Sequence, residues 1–254
     1  MSSNNIEYNL RKAVENEYIE IVKFMLTDPD VDPSTKNNYA IRMASSYGYY
    51  TSVELLLTDE RVNPAATNNH AIKMASRNGH VDVVKLLLKD GRVDPSATND
   101  YAIRWASENG HIEIVKLLLE DSRVNPAVMN NCPIQFASSK GHVNVVELLL
   151  ADPRVDPSAE NNLAIRLASV SNCIEVAKLL LKDTRVNPAD NGNAAILSAS
   201  KKGYTEIVKL LLADPRVDPF ANNNYALTTA YENGYGEIFE LLISDKRVQL
   251  LQDL

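Results

Sequence analysis

Three histidines are the residues of this chain best suited to holding a metal ion. His80, His111 and His142 each follow a glycine, and successive ones stand 31 residues apart. Zinc takes nitrogen donors at roughly 2.0–2.1 Å. If each histidine belongs to one copy of a stacked unit, neighbours lie on the order of 10 Å apart, as packed helices do, and no two can share an ion. They read instead as turn residues donating to a neighbouring loop, and Tyr49, Tyr204, Tyr235 and Cys173 fill the same column. The two thiols, Cys132 and Cys173, fall at different repeat positions and read as free, packing cysteines of a reducing compartment. Asp28, Asp59, Asp90, Asp121, Asp152, Asp183, Asp214 and Asp245 form an unbroken column, with Arg61, Arg92, Arg123, Arg154, Arg185, Arg216 and Arg247 two residues later. Identical residues at identical positions encode little partner specificity. Asp–Arg pairs that space neighbouring loops account for them better than a charged binding track. No phosphate-binding glycine loop, metal cluster or nucleophile motif stands out. No catalytic residue, metal or cofactor is expected, and the chain reads as no enzyme.

The elements that position these columns repeat. Valine followed by Asp or Asn and then Pro occurs at Val31, Val62, Val93, Val124, Val155, Val186 and Val217, always 31 residues apart. Ala13, Ala44, Ala75, Ala106, Ala137, Ala168, Ala199 and Ala230 keep the same register. A period of roughly 20 to 50 residues marks a solenoid whose units touch only their neighbours. In residues 93–123, Pro95 makes a loop. Asn99 and Asp100 are the expected helix N-caps. Ala102, Ile103, Trp105 and Ala106 give a short apolar helix that Gly110 ends, and Ile112 to Leu119 form a second, more buried helix. Such short helices are unstable alone in water, so packing between units must hold them. Asn172 replaces the turn glycine once, and Glu17 replaces it in the first unit, where an imperfect turn is expected. The loops alternate between Val-Asp-Pro-Ser, from Val31, Val93 and Val155, and Val-Asn-Pro-Ala, from Val62, Val124 and Val186. Growth by duplication of a two-repeat block follows.

The run from Ala106 to Leu119, A-S-E-N-G-H-I-E-I-V-K-L-L-L, resembles the ankyrin repeat signature A-A-x-x-G-H…V-V-x-x-L-L. The resemblance covers about residues 6 to 248. The period is shorter than the family's 33, and Y-A-I-R, as in Tyr101 to Arg104, replaces T-P-L-H. The resemblance implies an all-α, ankyrin-like α-solenoid of about eight stacked helix-turn-helix repeats joined by short hairpin-like loops. A single domain over 1–254 is expected, with a polar capping repeat at about 4–30 and a C-terminal cap at about 218–254. The tail from Val248 to Leu254 reads as a truncated loop folding back over the last helix.

The resemblance also implies a non-catalytic protein–protein interaction module that binds an unknown protein on the concave face formed by loop tips and first helices. The alternative is a structural or self-associating repeat scaffold. Positions that vary while the frame stays fixed are the contact candidates: Tyr47, Arg77, Asn78, Glu108, Asn109, Val128, Met129, Lys140, Glu160, Val170, Asp190, Lys201 and Lys202. The stretch from Val128 to Lys202 varies most in character. Arg42, Lys73, Arg104 and Arg166 read as donors to adjacent loop carbonyls, with a basic stripe as the other reading. Met43, Met74, Trp105, Phe136 and Leu167 read as core, although Trp105 is also a candidate interface anchor. The net charge of −7 argues against binding a phosphate backbone, so no nucleic acid is expected. No apolar run reaches the roughly 18 residues of a membrane span, and the first residues lack a secretory signal. A monomeric, intracellular protein of the cytoplasm is expected, and the resemblance extends this to a host cytoplasm.

Overall fold

The computed structural model describes residues 3–249, so the end of the expected C-terminal tail, 250–254, lies outside the described residues. Two compact units divide the chain at Pro126 and Ala127. The first holds α1 (Ser3–Glu15), α2 (Ile19–Leu26), α3 (Thr35–Tyr47), α4 (Tyr50–Leu57), α5 (Ala66–Asn78), α6 (Val81–Lys89), α7 (Ala97–Glu108) and α8 (Ile112–Glu120). The second holds α9 (Val128–Lys140), α10 (Val143–Leu150), α11 (Ala159–Val170), α12 (Ile174–Leu181), α13 (Asp190–Lys202), α14 (Thr205–Leu212), α15 (Ala221–Glu232), α16 (Gly236–Ile243) and the short α17 (Lys246–Gln249). Within each unit the helices pair and the pairs stack in chain order, first helix on first helix and second on second. No strand occurs among the described residues, and the fold class is all-α. The core is the repeat itself. Ile41, Ala44, Val53 and Leu56 in one repeat, and Ile165, Ala168, Val176 and Leu180 in another, are buried completely or nearly so.

The loops enter the first helices through a feature the residue types permit and the helical pattern hides. Thr67, Asn68 and Asn69 have φ values of 57°, 53° and 57°, and the same left-handed triplet recurs at the start of every first helix from α3 to α15. An L-residue pays roughly 1–2 kcal/mol in this region, and Asn or Asp least, because a short polar side chain bonds locally. Asn99 and Asp100 therefore do not cap α7. They stand at φ 54° and 50° inside this turn, and no side-chain cap bond forms. Instead the Asp100 carboxylate, buried, accepts the Asn125 backbone N–H of the next loop at 2.8 Å. Asn38 and Asn69 do the same for Asn63 and Asp94. In the second unit Asn131, Asn162 and Asn193 serve Asp156, Asn187 and Asp218. The triplet thus aims one side chain per repeat at its neighbour's loop. Pro133 is tolerated in α9 because the left-handed residues end at Asn131, which leaves proline in the first right-handed turn.

The opposite end of most first helices closes on glycine, and at Gly48 it does so for two reasons. Gly48 has φ 80°, and a Cβ built there would lie 2.4 Å from Nδ1 of His80 in the next repeat. Glu17 does not spoil the first turn. It adopts φ 55°, and the Tyr18 N–H reaches the Ala13 carbonyl at 2.8 Å, the bond that Tyr49 makes to Ala44 at 2.9 Å. Strain at Glu17 replaces the expected distortion. Met43, Met74, Trp105, Phe136 and Leu167 are not core; each is half-buried at the surface of its first helix. The first repeat is polar along α1, but Ile21 and Phe24 of α2 are 47% and 74% exposed. Val83 and Ile114, the equivalents of Ile21, are buried at positions where a preceding repeat covers them.

Candidate partner-binding surface

The repeated polar residues are engaged within the stack. Every arginine of the charged column forks onto the aspartate two residues earlier, and six of them reach back to the preceding repeat within their own unit. Arg92 donates from Nε and Nη2 to Asp90 at 2.9 and 2.6 Å, and from Nη1 to the Val62 carbonyl at 2.8 Å. Arg61, Arg123, Arg185, Arg216 and Arg247 reach Val31, Val93, Val155, Val186 and Val217 in the same way. The arginine hydrogen bonds hold these aspartates below their ordinary pKa, against a smaller opposing effect of burial. The loop alternation has a cause as well. Asp94 accepts both the backbone N–H and the hydroxyl of Ser96, whereas Asn63 accepts only the N–H of Ala65. Serine accompanies aspartate at Asp32, Asp94 and Asp156 and alanine accompanies asparagine, whereas Asp218 is followed by Phe220 and accepts only its N–H.

Two of the turn histidines reach the preceding repeat, at the last turn of its first helix and not at a loop. His80 Nε2 lies 2.9 Å from the Ser46 carbonyl, and His111 Nε2 lies 3.0 Å from the Arg77 carbonyl. Among the described residues no group of three His, Cys, Asp or Glu side chains could hold a metal ion. Cys132 is buried and Cys173 half-buried, and burial raises the Cys173 thiol pKa.

Of the contact candidates in the first unit, Tyr47, Arg77, Asn78 and Asn109 are exposed and Glu108 is half-buried. Two are partly committed: Asn78 and Asn109 donate to the Ser46 and Arg77 carbonyls of the preceding repeat at 2.8 and 3.2 Å. Arg77 lies over the Trp105 ring, its Cζ 4.8 Å from the centroid. In the second unit Met129, Lys140, Glu160, Lys201 and Lys202 are exposed, while Val128, Val170 and Asp190 are half-buried. Asn130 donates to Glu160, Asn162 and Asn187 both donate to Asp190, and Lys202 reaches the Val170 carbonyl at 3.1 Å. Met129 is 57% exposed and held in the left-handed turn.

Arg42, Arg104 and Arg166 do donate to loop carbonyls, through Nε to Asn37, Asn99 and Asn161. Lys73 instead donates to Thr98 Oγ1 at 3.0 Å. Sequence reasoning did not connect these cations with rings. Arg11 lies 4.9 Å from the Tyr39 centroid and Arg42 5.8 Å; Lys73 and Arg104 lie 5.6 and 5.7 Å from that of Tyr101. Between the tyrosines, His70 has its pKa lowered by burial and then by the charges of Arg42 and Lys73. A cation recurring 28 residues before an aromatic, as Arg11 before Tyr39 and Lys73 before Tyr101, was the available signal.

Helix pairs stacked through identical loop and turn bonds, with variable residues left outward, define a helical-repeat protein of the solenoid class. A family model described as ankyrin repeats in three copies matches residues 10–99, 89–161 and 163–252, and the chain belongs to the ankyrin repeat family. No curated protein matches it. Ankyrin repeats generally mediate protein–protein interaction and are typically non-enzymatic.

Proposed function

We propose that this chain binds a partner protein through the loop tips and first helices of its repeats, without catalysis. One observation carries the reading: the invariant polar residues are taken up by bonds between repeats, while the residues that vary stand at the surface of the first helices and loops. Energy for recognition then comes from a few side chains on a rigid frame. Met129, Val170 and Lys202 are the proposed anchors in the second unit, with Tyr47, Arg77 and Asn109 in the first. The protein acts as a monomer inside the cell, with no membrane and no nucleic acid. Among the described residues no helix is long and apolar enough to cross a membrane. Proximity labelling in the native cell identifies the partner. Capture by the whole chain should then drop at least about tenfold when Met129, Val170 and Lys202 are changed together to Ala. Undiminished capture removes that patch.

A self-associating scaffold is the second reading, and the exposure of Ile21 and Phe24 on α2 favours it. Light scattering separates the two, since a strict monomer at high concentration excludes the scaffold.

A further inference from the structure

The first helices of the first unit carry more positive charge than their structural task needs. Arg42 and Arg104 fasten the left-handed turn by donating to its carbonyls, but Gln135 performs the same service uncharged, its Nε2 2.7 Å from the Asn130 carbonyl. Leu197 and Thr228 occupy the position without a cation at all. In the first unit the column is Arg11, Arg42, Lys73 and Arg104, cationic in every repeat, on a chain whose net charge is −7. Tyr39 and Tyr101 lie between these cations and hold them at stacking distance. Fixing a long side chain against a ring lowers the entropy it loses when a ligand arrives. The nearby carboxylate Glu15 is already occupied, by Lys12 at 2.7 Å and by the Tyr39 hydroxyl at 2.9 Å. Glu108, at the end of α7, is half-buried.

We propose that this cation–ring ladder takes an extended acidic segment of a partner protein, one carboxylate per repeat. The inference rests on the protein-binding reading above and assigns the partner's chemistry in the first unit. Packed helices lie about 8–10 Å apart, and an extended chain rises about 3.3 Å per residue. An acidic residue at about every third position therefore matches the ladder. A nucleic acid fits less well, because its phosphates are more closely spaced than the ladder, which offers only one cation per repeat.

The test uses the whole protein and a fluorescent peptide of repeating Glu-Ser-Gly that spans four repeats. A Lys-Ser-Gly peptide and an oligouridylate serve as comparisons. Trp105, the single tryptophan, stands beside Arg77 at the edge of the ladder and gives an internal signal. The expected result is saturable binding of the acidic peptide with a change in Trp105 emission. Arg42→Gln, Lys73→Gln and Arg104→Gln together should weaken binding at least about tenfold, as should roughly 0.5 M salt. At the two arginine positions glutamine preserves the turn bond, as Gln135 shows, and Lys73→Glu alone, which leaves both arginines in place, provides a second variant with the same expected direction. Absent binding, undiminished binding by both variants, or tighter binding of the oligouridylate each overturns the proposal. If partner capture persists while the peptide fails, only this inference falls.

Discussion

At the scale of single residues, backbone conformation and side-chain chemistry are chosen together. The last residue of each left-handed triplet from α3 to α13 must tolerate positive φ and also present an oxygen to the next loop, and Asn meets both demands. Thr67 meets neither, being β-branched at φ 57° with no oxygen aimed onward. Thr67→Asn should raise stability by about 1 kcal/mol, measured as a shift in urea midpoint at unchanged slope. Asp100 differs from the other members of its column by a charge. Burial pushes its carboxyl pKa up, and the Asn125 N–H only partly opposes this. A raised folded pKa means that ionisation penalises the native state. The penalty is absent below the unfolded value of about 3.9 and complete above the folded one. Asp100→Asn should therefore stabilise the protein at pH 7, and its advantage should fade as pH falls towards 4.

At the scale of elements, what joins one helix pair to the next is a small set of close approaches. The glycine that ends α3 leaves room for the His80 ring, so Gly48→Ala meets both a steric and a conformational obstacle. We expect a loss of roughly 2–4 kcal/mol in chemical denaturation. A second change, His80→Ala, should recover only the steric part. The Ser76 hydroxyl, fully buried in α5, has no hydrogen-bond partner. Ser76→Ala should be neutral or stabilising by up to about 1 kcal/mol, because it removes a desolvated donor and keeps the packing. Much of this level was legible in the sequence. Glycine and the aromatic or histidine after it announced the turn, and the Leu-Leu-Leu runs announced the second helices. The left-handed triplets were not legible, since Asn before an apolar run is also the ordinary signature of a helix cap. Only the positive φ values separate the two readings, and no spacing encodes them. The half-buried Met43 and Trp105 column was misplaced for a similar reason: large apolar residues at helical spacing look like core until neighbouring helices are seen to leave one side open.

For the molecule as a whole, seven aspartates sit in the same arginine fork: Asp59, Asp90, Asp121, Asp152, Asp183, Asp214 and Asp245. Their folded pKa values are depressed, so the stability they contribute is present above the unfolded value of about 3.9 and lost as pH falls through the folded values. Each partly exposed pair contributes about 0–1 kcal/mol, but the losses arrive together. The thermal midpoint should hold between pH 7 and 5 as far as these groups are concerned, then drop steeply below pH 4. Sequence columns alone identified the pairing. They did not identify its third member, the valine carbonyl of the preceding repeat, because a backbone acceptor leaves no trace in residue type.

That third contact bears on how such a chain changes length. One residue inserted into a loop would displace the arginine from its carbonyl and the asparagine oxygen from its amide at the same time. Removal of residues 63–93 would leave Asn38 facing the amide of Asp94 instead of that of Asn63, and Arg123 facing the carbonyl of Val62 instead of that of Val93. The joint recognises a position in the cycle and ignores which copy supplies it, so recombination between copies alters size only in whole modules and hands each product a ready-made seam.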